Sequence, residues 1–230
     1  MFEPLKQIIP NVHKEGTFFI ILFLLVTFVL FVISETLGWM GLVLTVWCVF
    51  FFRDPQRVTP NDDSLVVSPA DGIVQAVKED TPPKELGLKE KMTRVSIFLN
   101  VFDVHVNRVP VTGQIKKLHY HSGKFFNASL DKASKHNERQ LILLTTKEKQ
   151  DIAIAQIAGL VARRIVCNLD EEQKVKAGER FGIIRFGSRV DIYLPKGVEP
   201  QVIEGQRMIG GETIIASLTD KLPKRVGEIR

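Results

Sequence analysis

Cysteine is almost missing from this chain, and charge is almost missing from its N-terminal part. Only Cys48 and Cys167 occur in 230 residues. Two isolated cysteines exclude a disulfide scaffold and any CxxC metal or redox site, and they agree with a reducing compartment. No zinc-finger spacing, helix-turn-helix pattern or aromatic-rich basic stretch is present, so nucleic acid is not an expected partner and no metal ligand set is assigned. Internal repeats and low-complexity tracts are absent, and no G-x-S-x-G nucleophile elbow occurs. Beyond the first fifty or so residues, no helix-length amphipathic pattern stands out.

The missing charge is more informative. From Gly16 through Phe52 the sole charged residue is Glu35. Phe18 to Ile33 is apolar except for Thr27, Leu37 to Phe52 is apolar except for Thr45, and Ser34-Glu35-Thr36 breaks the two runs. A soluble core helix keeps a polar face, and these runs have none. At about 1.5 Å per residue each run reaches roughly 24 Å, short of a hydrocarbon core of about 30 Å. The pattern predicts a helical hairpin in residues 1–52 that either crosses a thin bilayer or dips into one leaflet. Lys6 and Lys14 precede it and Arg53 and Arg57 follow it. Basic flanks favour the cytoplasmic face of the cell membrane. The stretch is too long for a cleaved signal peptide, and no small-residue cleavage site follows it.

Residues 53–230 hold 29 basic and 23 acidic side chains, a net +6 against +5 for the whole chain. That excess suits anionic headgroups and equally an ordinary solvated surface. The segment is long enough for one domain with its own core. Its apolar runs are short and β-prone, separated by Gly and Pro turns. Candidate strands are 65–67, 73–77, 94–106, 113–121, 140–146, 152–158, 161–166 and 180–194. The expected class is α+β: an N-terminal apolar helical hairpin, then a mainly antiparallel β domain of barrel or sandwich character.

The stretch Arg180 to Leu194 contains one residue out of place. Side chains alternate along a strand. One face carries Ile184, Phe186, Ser188, Val190, Ile192 and Leu194, and Ser188 is its only polar member. It follows Gly187, and a Gly inside a strand often marks a bulge or a close approach. An isolated Gly-Ser pair of this kind is ordinarily a buried hydroxyl bonded to a nearby carbonyl. Its position nevertheless suits attack on the preceding, unshielded Gly187 carbonyl better than attack on an external ester. Such a reaction needs a base and commonly a carboxylate to orient it. His105 alone among five histidines is embedded in an apolar β run, at its end. Asp71 stands in a Pro-Ala-Asp-Gly turn, where Asp-Gly is common for local reasons.

Six segments in order carry a resemblance across nearly the whole chain: Phe52-Arg53-Asp54-Pro55-Gln56-Arg57, Ser68-Pro69-Ala70-Asp71-Gly72, Asp103-Val104-His105-Val106-Asn107-Arg108, Phe125-Phe126-Asn127-Ala128, Asn137-Glu138-Arg139 and Arg185-Phe186-Gly187-Ser188-Arg189-Val190-Asp191. The chain resembles phosphatidylserine decarboxylase proenzymes of the short bacterial type. The resemblance implies autocatalytic serinolysis at Gly187-Ser188. It gives a β chain of residues 1–187 and an α chain of residues 188–230, with Ser188 converted to a covalent pyruvoyl group. That ketone would form a Schiff base with phosphatidylserine, release CO2 and leave phosphatidylethanolamine.

By the same resemblance His105 is the base, Asp71 the orienting carboxylate and Asp103 a second carboxylate, two residues from His105 and so expected on the same strand face. Longer members carry a second His three residues after the first, where this chain has Arg108. Implied partners are the phospholipid, the membrane and the two chains of one precursor. Self-association stays open, as does a related serine-headgroup lipid such as archaetidylserine. The contrasting hypothesis is a membrane-tethered β-fold binding or scaffold module without chemistry. The two differ on one variant: Ser188→Ala is expected to leave a single uncut, inactive polypeptide on a denaturing gel, whereas a scaffold would not respond to it.

Overall fold

The computed structural model describes residues 11–128, 136–160, 164–185 and 187–219. Helices α1 (Thr17–Ile33) and α2 (Glu35–Phe51) form the expected hairpin, turning on Ser34 alone. Each has 17 residues, about 25 Å of helix. The hairpin is built inside out. Phe28, Val32, Ile33 and Val43 are among its exposed side chains, while Thr27, Gly38, Gly41 and Thr45 are buried between the helices. The two threonines that interrupt the apolar runs meet each other, Oγ1 to Oγ1 at 2.9 Å, and Thr45 Oγ1 also donates to the Gly41 carbonyl at 3.0 Å. A Cβ on Gly41 would lie 3.2 Å from Thr27 Cα. Small residues thus let the backbones approach, as in helix pairs packed in an apolar solvent. Lys6, one of the expected basic flanks, lies outside the described residues.

Thirteen strands follow among the described residues: β1 (Leu65–Val67), β2 (Gly72–Asp80), β3 (Met92–Leu99), β4 (Val106–Arg108), β5 (Gly113–His121), β6 (Arg139–Thr145), β7 (Asp151–Ala158), β8 (Ile165–Cys167), β9 (Lys174–Val175), β10 (Arg180–Ile184), β11 (Ser188–Leu194), β12 (Arg207–Met208) and β13 (Ile214–Ser217). Eight make one antiparallel, curled sheet in the order β12-β2-β3-β11-β7-β6-β5-β9. Strands β4-β10-β8 and β1-β13 form two smaller sheets. Alternation sends Ile97, Leu99, Val190, Ile192 and Ile154 into a core shared with Phe181 and Ile184 of β10 and Ile215 of β13. The reverse face is buried too. Leu86 and Leu88, on the segment between β2 and β3, cover Leu141, Leu143, Ala155 and Tyr193 there.

Two expected strands are each divided. The stretch 94–106 becomes β3 and β4. Asn100 and Asp103 fold the chain between them: Asn100 Oδ1 accepts the Phe102 N–H at 2.8 Å, and Asp103 Oδ2 accepts the Asn100 N–H at 2.9 Å. The stretch 180–194 becomes β10 and β11, which lie in different sheets. Gly187, at φ +80°, turns the chain between them. Phe186 and residues 161–163 lie outside the described residues, and β8 begins only at Ile165. These divisions bring distant residues together. β3 pairs with β11, Leu99 opposite Ser188, and β4 pairs with β10, Val106 opposite Ile183. The connectors, residues 100–105 and the pair Arg185 and Gly187, therefore lie at the same junction between the sheets.

The hairpin base is packed on these connectors. Cys48, Phe51 and Phe52 form a buried cluster with Val104, Val106 and Ile183. Phe52 stacks on Phe19 with ring centroids 5.5 Å apart and meets Phe51 edge-on at 5.0 Å. Phe52→Ala would leave a cavity at this junction. It is expected to destabilise the chain by about 3 kcal/mol or more, read as a lower denaturation midpoint in detergent.

Candidate active site

His105 sits just before β4, fully buried, with its ring centroid 4.2 Å from that of Phe51. Its two nitrogens have different partners. The Gly187 N–H donates to Nε2 at 3.3 Å, and Nδ1 lies 3.0 Å from the main-chain oxygen of Asp103. Since Nε2 accepts, the hydrogen is on Nδ1 and is donated to Asp103 O. Burial lowers the pKa from 6.5 to about 3, against the raising effect of the Asp103 hydrogen bond, and Arg53 lowers it further. The ring is a neutral imidazole whose one lone pair, on Nε2, accepts the N–H of the residue before Ser188.

The carbonyl of Gly187 is held from the other side. Gly159, just past the end of β7, donates its N–H to that oxygen at 3.1 Å. The approach requires glycine, because a Cβ on residue 159 would lie 2.4 Å from the Gly187 oxygen. Ser188 opens β11 between Leu99 and Ala158. It is fully buried, and its Oγ has no hydrogen-bond partner among the described residues. An unpaired buried hydroxyl is uncommon and fits a group held for reaction.

The two carboxylates are placed differently from the expected arrangement. Asp103 lies on the connector, not on a strand face shared with His105, and its main-chain oxygen is what holds the ring. Its Oδ1 accepts from Arg207 Nη2 at 2.5 Å and its Oδ2 from the Asn100 N–H. Asp71 Oδ2 pairs with Arg57 Nη2 at 2.7 Å, and its Oδ1 accepts the Gly210 N–H at 2.9 Å. Burial raises its pKa, opposed by Arg57. No bond joins Asp71 to His105 among the described residues.

The remaining motifs support this geometry. Arg53 donates to Phe50 O and to Phe102 O, both at 2.7 Å, tying the end of α2 to the His105 connector. Arg185, on the other connector, pairs with Glu15 and lies over the Phe19 ring at 5.2 Å. Arg108, where longer relatives carry a second His, donates to Gly178 O at 2.9 Å and Pro55 O at 2.8 Å, so it is a clamp. Asn137 accepts the Phe126 N–H and donates to Phe126 O and Ala158 O, steadying the approach to Gly159. Arg189 and Asp191 form a buried ion pair, and Arg189 Nη1 donates to Ala128 O at 3.0 Å.

Gly159 and Asn137's action on it were not visible in the sequence as site features. The one signal was a Gly closing an apolar β run. The protonation assignment is checked by 15N chemical shifts of labelled His105. They should show Nδ1 protonated and Nε2 bare from about pH 8 to about pH 5, with no titration near 6.5.

A family model described as phosphatidylserine decarboxylase matches residues 44–216, from within α2 to β13. Proteins named phosphatidylserine decarboxylase proenzyme from Rickettsia bellii (strain OSU 85-389) and Rickettsia typhi are similar to this chain. They are 59% and 58% identical over 211 residues, 91% of either chain in both cases. The protein of that name from Rickettsia felis is 59% identical with the same coverage. A family match over most of the chain, with identity at this level, means that the chain belongs to the phosphatidylserine decarboxylase family.

Proposed function

We propose that this chain is a proenzyme that cuts itself between Gly187 and Ser188, converts Ser188 into a pyruvoyl group, and then decarboxylates phosphatidylserine to phosphatidylethanolamine. One observation carries the reading: Gly187 is held at both ends, its N–H by His105 Nε2 and its carbonyl by the Gly159 N–H, beside a Ser188 hydroxyl that has no partner among the described residues.

In the first step Ser188 Oγ adds to the Gly187 carbonyl carbon, and His105 Nε2 takes the hydroxyl proton. Negative charge develops on the Gly187 oxygen, which the Gly159 N–H already faces. Collapse breaks the C–N bond as His105 passes its proton to the departing Ser188 nitrogen, which leaves an ester and a free amine. Removal of the Ser188 Cα proton expels the Gly187 carboxylate and gives dehydroalanine. Water then displaces ammonia to give the ketone. Once formed, the pyruvoyl carbonyl supplies the electron sink for loss of CO2. Asp103 positions His105 through its main-chain oxygen. Asp71, the orienting carboxylate that the family resemblance implies, would act at one remove, fixing the loops around the ring through Arg57 and the Gly210 N–H.

Cleavage would give chains 1–187 and 188–230. The smaller one carries β11, which runs between β3 and β7, with β12 on β2 and β13 on β1. It is held in three places by antiparallel ladders, so the two chains stay together without a covalent link. The exposed apolar hairpin surface supports residence in a membrane. Lys14 and Arg53, at paired chain ends beside one hairpin base, favour the cytoplasmic face.

Gly159→Ala is the discriminating variant, since it touches neither nucleophile nor base. It should slow self-cleavage by about a hundredfold or more, followed as conversion of one band to two on a denaturing gel. Cleavage at the wild-type pace would remove Gly159 from the mechanism.

A further inference from the structure

Among the described residues, one cluster of metal-type donors lies apart from the proposed reaction. Glu85, His119 and His121 each offer a ligand atom, and all three atoms lie within 4.8 Å of one another. Their placement follows from the fold. His119 and His121 are two apart on β5, so both imidazoles stand on the same face of the sheet. They lie opposite Leu141 and Arg139 of β6, on the side away from Ser188. Glu85 comes from the 3-10 turn Lys84–Leu86, whose Leu86 packs into the apolar cluster with Leu141. All three are half-buried. Neither imidazole has a hydrogen-bond partner among the described residues.

We propose that Glu85, His119 and His121 form a binding site for one divalent d-block cation, which clips the 81–91 segment to the outer face of the sheet. Two imidazoles and a carboxylate suit zinc, cobalt or nickel, not magnesium or calcium, which take oxygen ligands. Bonds of about 2.0–2.2 Å around a tetrahedral ion set its ligand atoms roughly 3.4 Å apart. Side-chain rotation of about 1.4 Å at most closes the cluster to that size. Glu85 Oε1 already accepts from Arg139 Nη2 at 2.9 Å, so the carboxylate would bridge, one oxygen to Arg139 and the other to the ion. Water would complete the coordination. The sequence reading assigned no metal because the third ligand lies 34 residues before the His-x-His pair, on another element.

The full chain in detergent micelles, stripped with chelator, is titrated with Co2+ and then with Zn2+. Saturation at one Co2+ per chain, with visible absorption bands that Zn2+ abolishes, is the expected result. Zn2+ should also raise the denaturation temperature by mass action. The His119→Gln/His121→Gln variant should lose the bands or bind at least about tenfold more weakly, while its circular dichroism stays that of the wild type. His136→Ala, at an exposed histidine elsewhere, should bind as the wild type does. No saturable Co2+ binding by the wild type would overturn the proposal, leaving Glu85–Arg139 as an ion pair only. Unchanged binding by the double variant, or its loss in His136→Ala, would overturn it equally. Self-cleavage is read separately on a gel, so a failure there leaves this test standing.

Discussion

The packing of the hairpin base on the two sheet connectors is the contact on which the rest of the site depends. Phe51 lies against the imidazole of His105, Arg53 holds the carbonyl of Phe102, and Glu15 holds Arg185. Each connector is thus gripped from the helical side. Neither could be rigid by itself, because the residues between strands have no ladder of their own. The hairpin is therefore part of the wall of the proposed catalytic centre as well as an apolar attachment.

That wall also decides the electrostatics. With Phe51 covering His105, the ring loses its water, and only main-chain partners remain for its nitrogens. A neutral ring follows, with a defined tautomer and no adjacent carboxylate. The charged groups nearby are directed elsewhere: Asp71 to Arg57, Asp103 to Arg207, and Asp54 to Arg180 and Arg108. They fix the loops around the ring. The central strand shows the same economy: Arg189 is buried, and Asp191 answers it two residues along.

Much of this was legible in the sequence, and what was not has identifiable physical causes. The hairpin was plain because an unbroken apolar surface on two helices has few soluble explanations. The β class, the inward face of β11 and the singularity of Ser188 followed from alternation. Alternation is blind, however, to a change of sheet. The pattern across 180–194 keeps its parity through Gly187 although the chain leaves one sheet for another. The partners of His105 were hidden for a different reason: both are main-chain atoms, and a carbonyl or an N–H has no side-chain signature. The same holds for Gly159, which acts through its N–H and through the Cβ it lacks. The family resemblance pointed to Ser188, His105, Asp71 and Asp103, but it did not reveal that Asp103 meets the ring through its backbone.

The hydrogen bond between Thr27 and Thr45 has a consequence beyond joining two helices. It is a polar contact in an otherwise apolar interior, so sliding one helix past the other would break it with nothing to replace it. The hairpin is therefore a ruler with a fixed zero. In a bilayer it would set the depth of the His105 connector, and with it the height of the reacting bond, to a single value. A lipid would then find the site by diffusing within its own leaflet, a search in two dimensions instead of three.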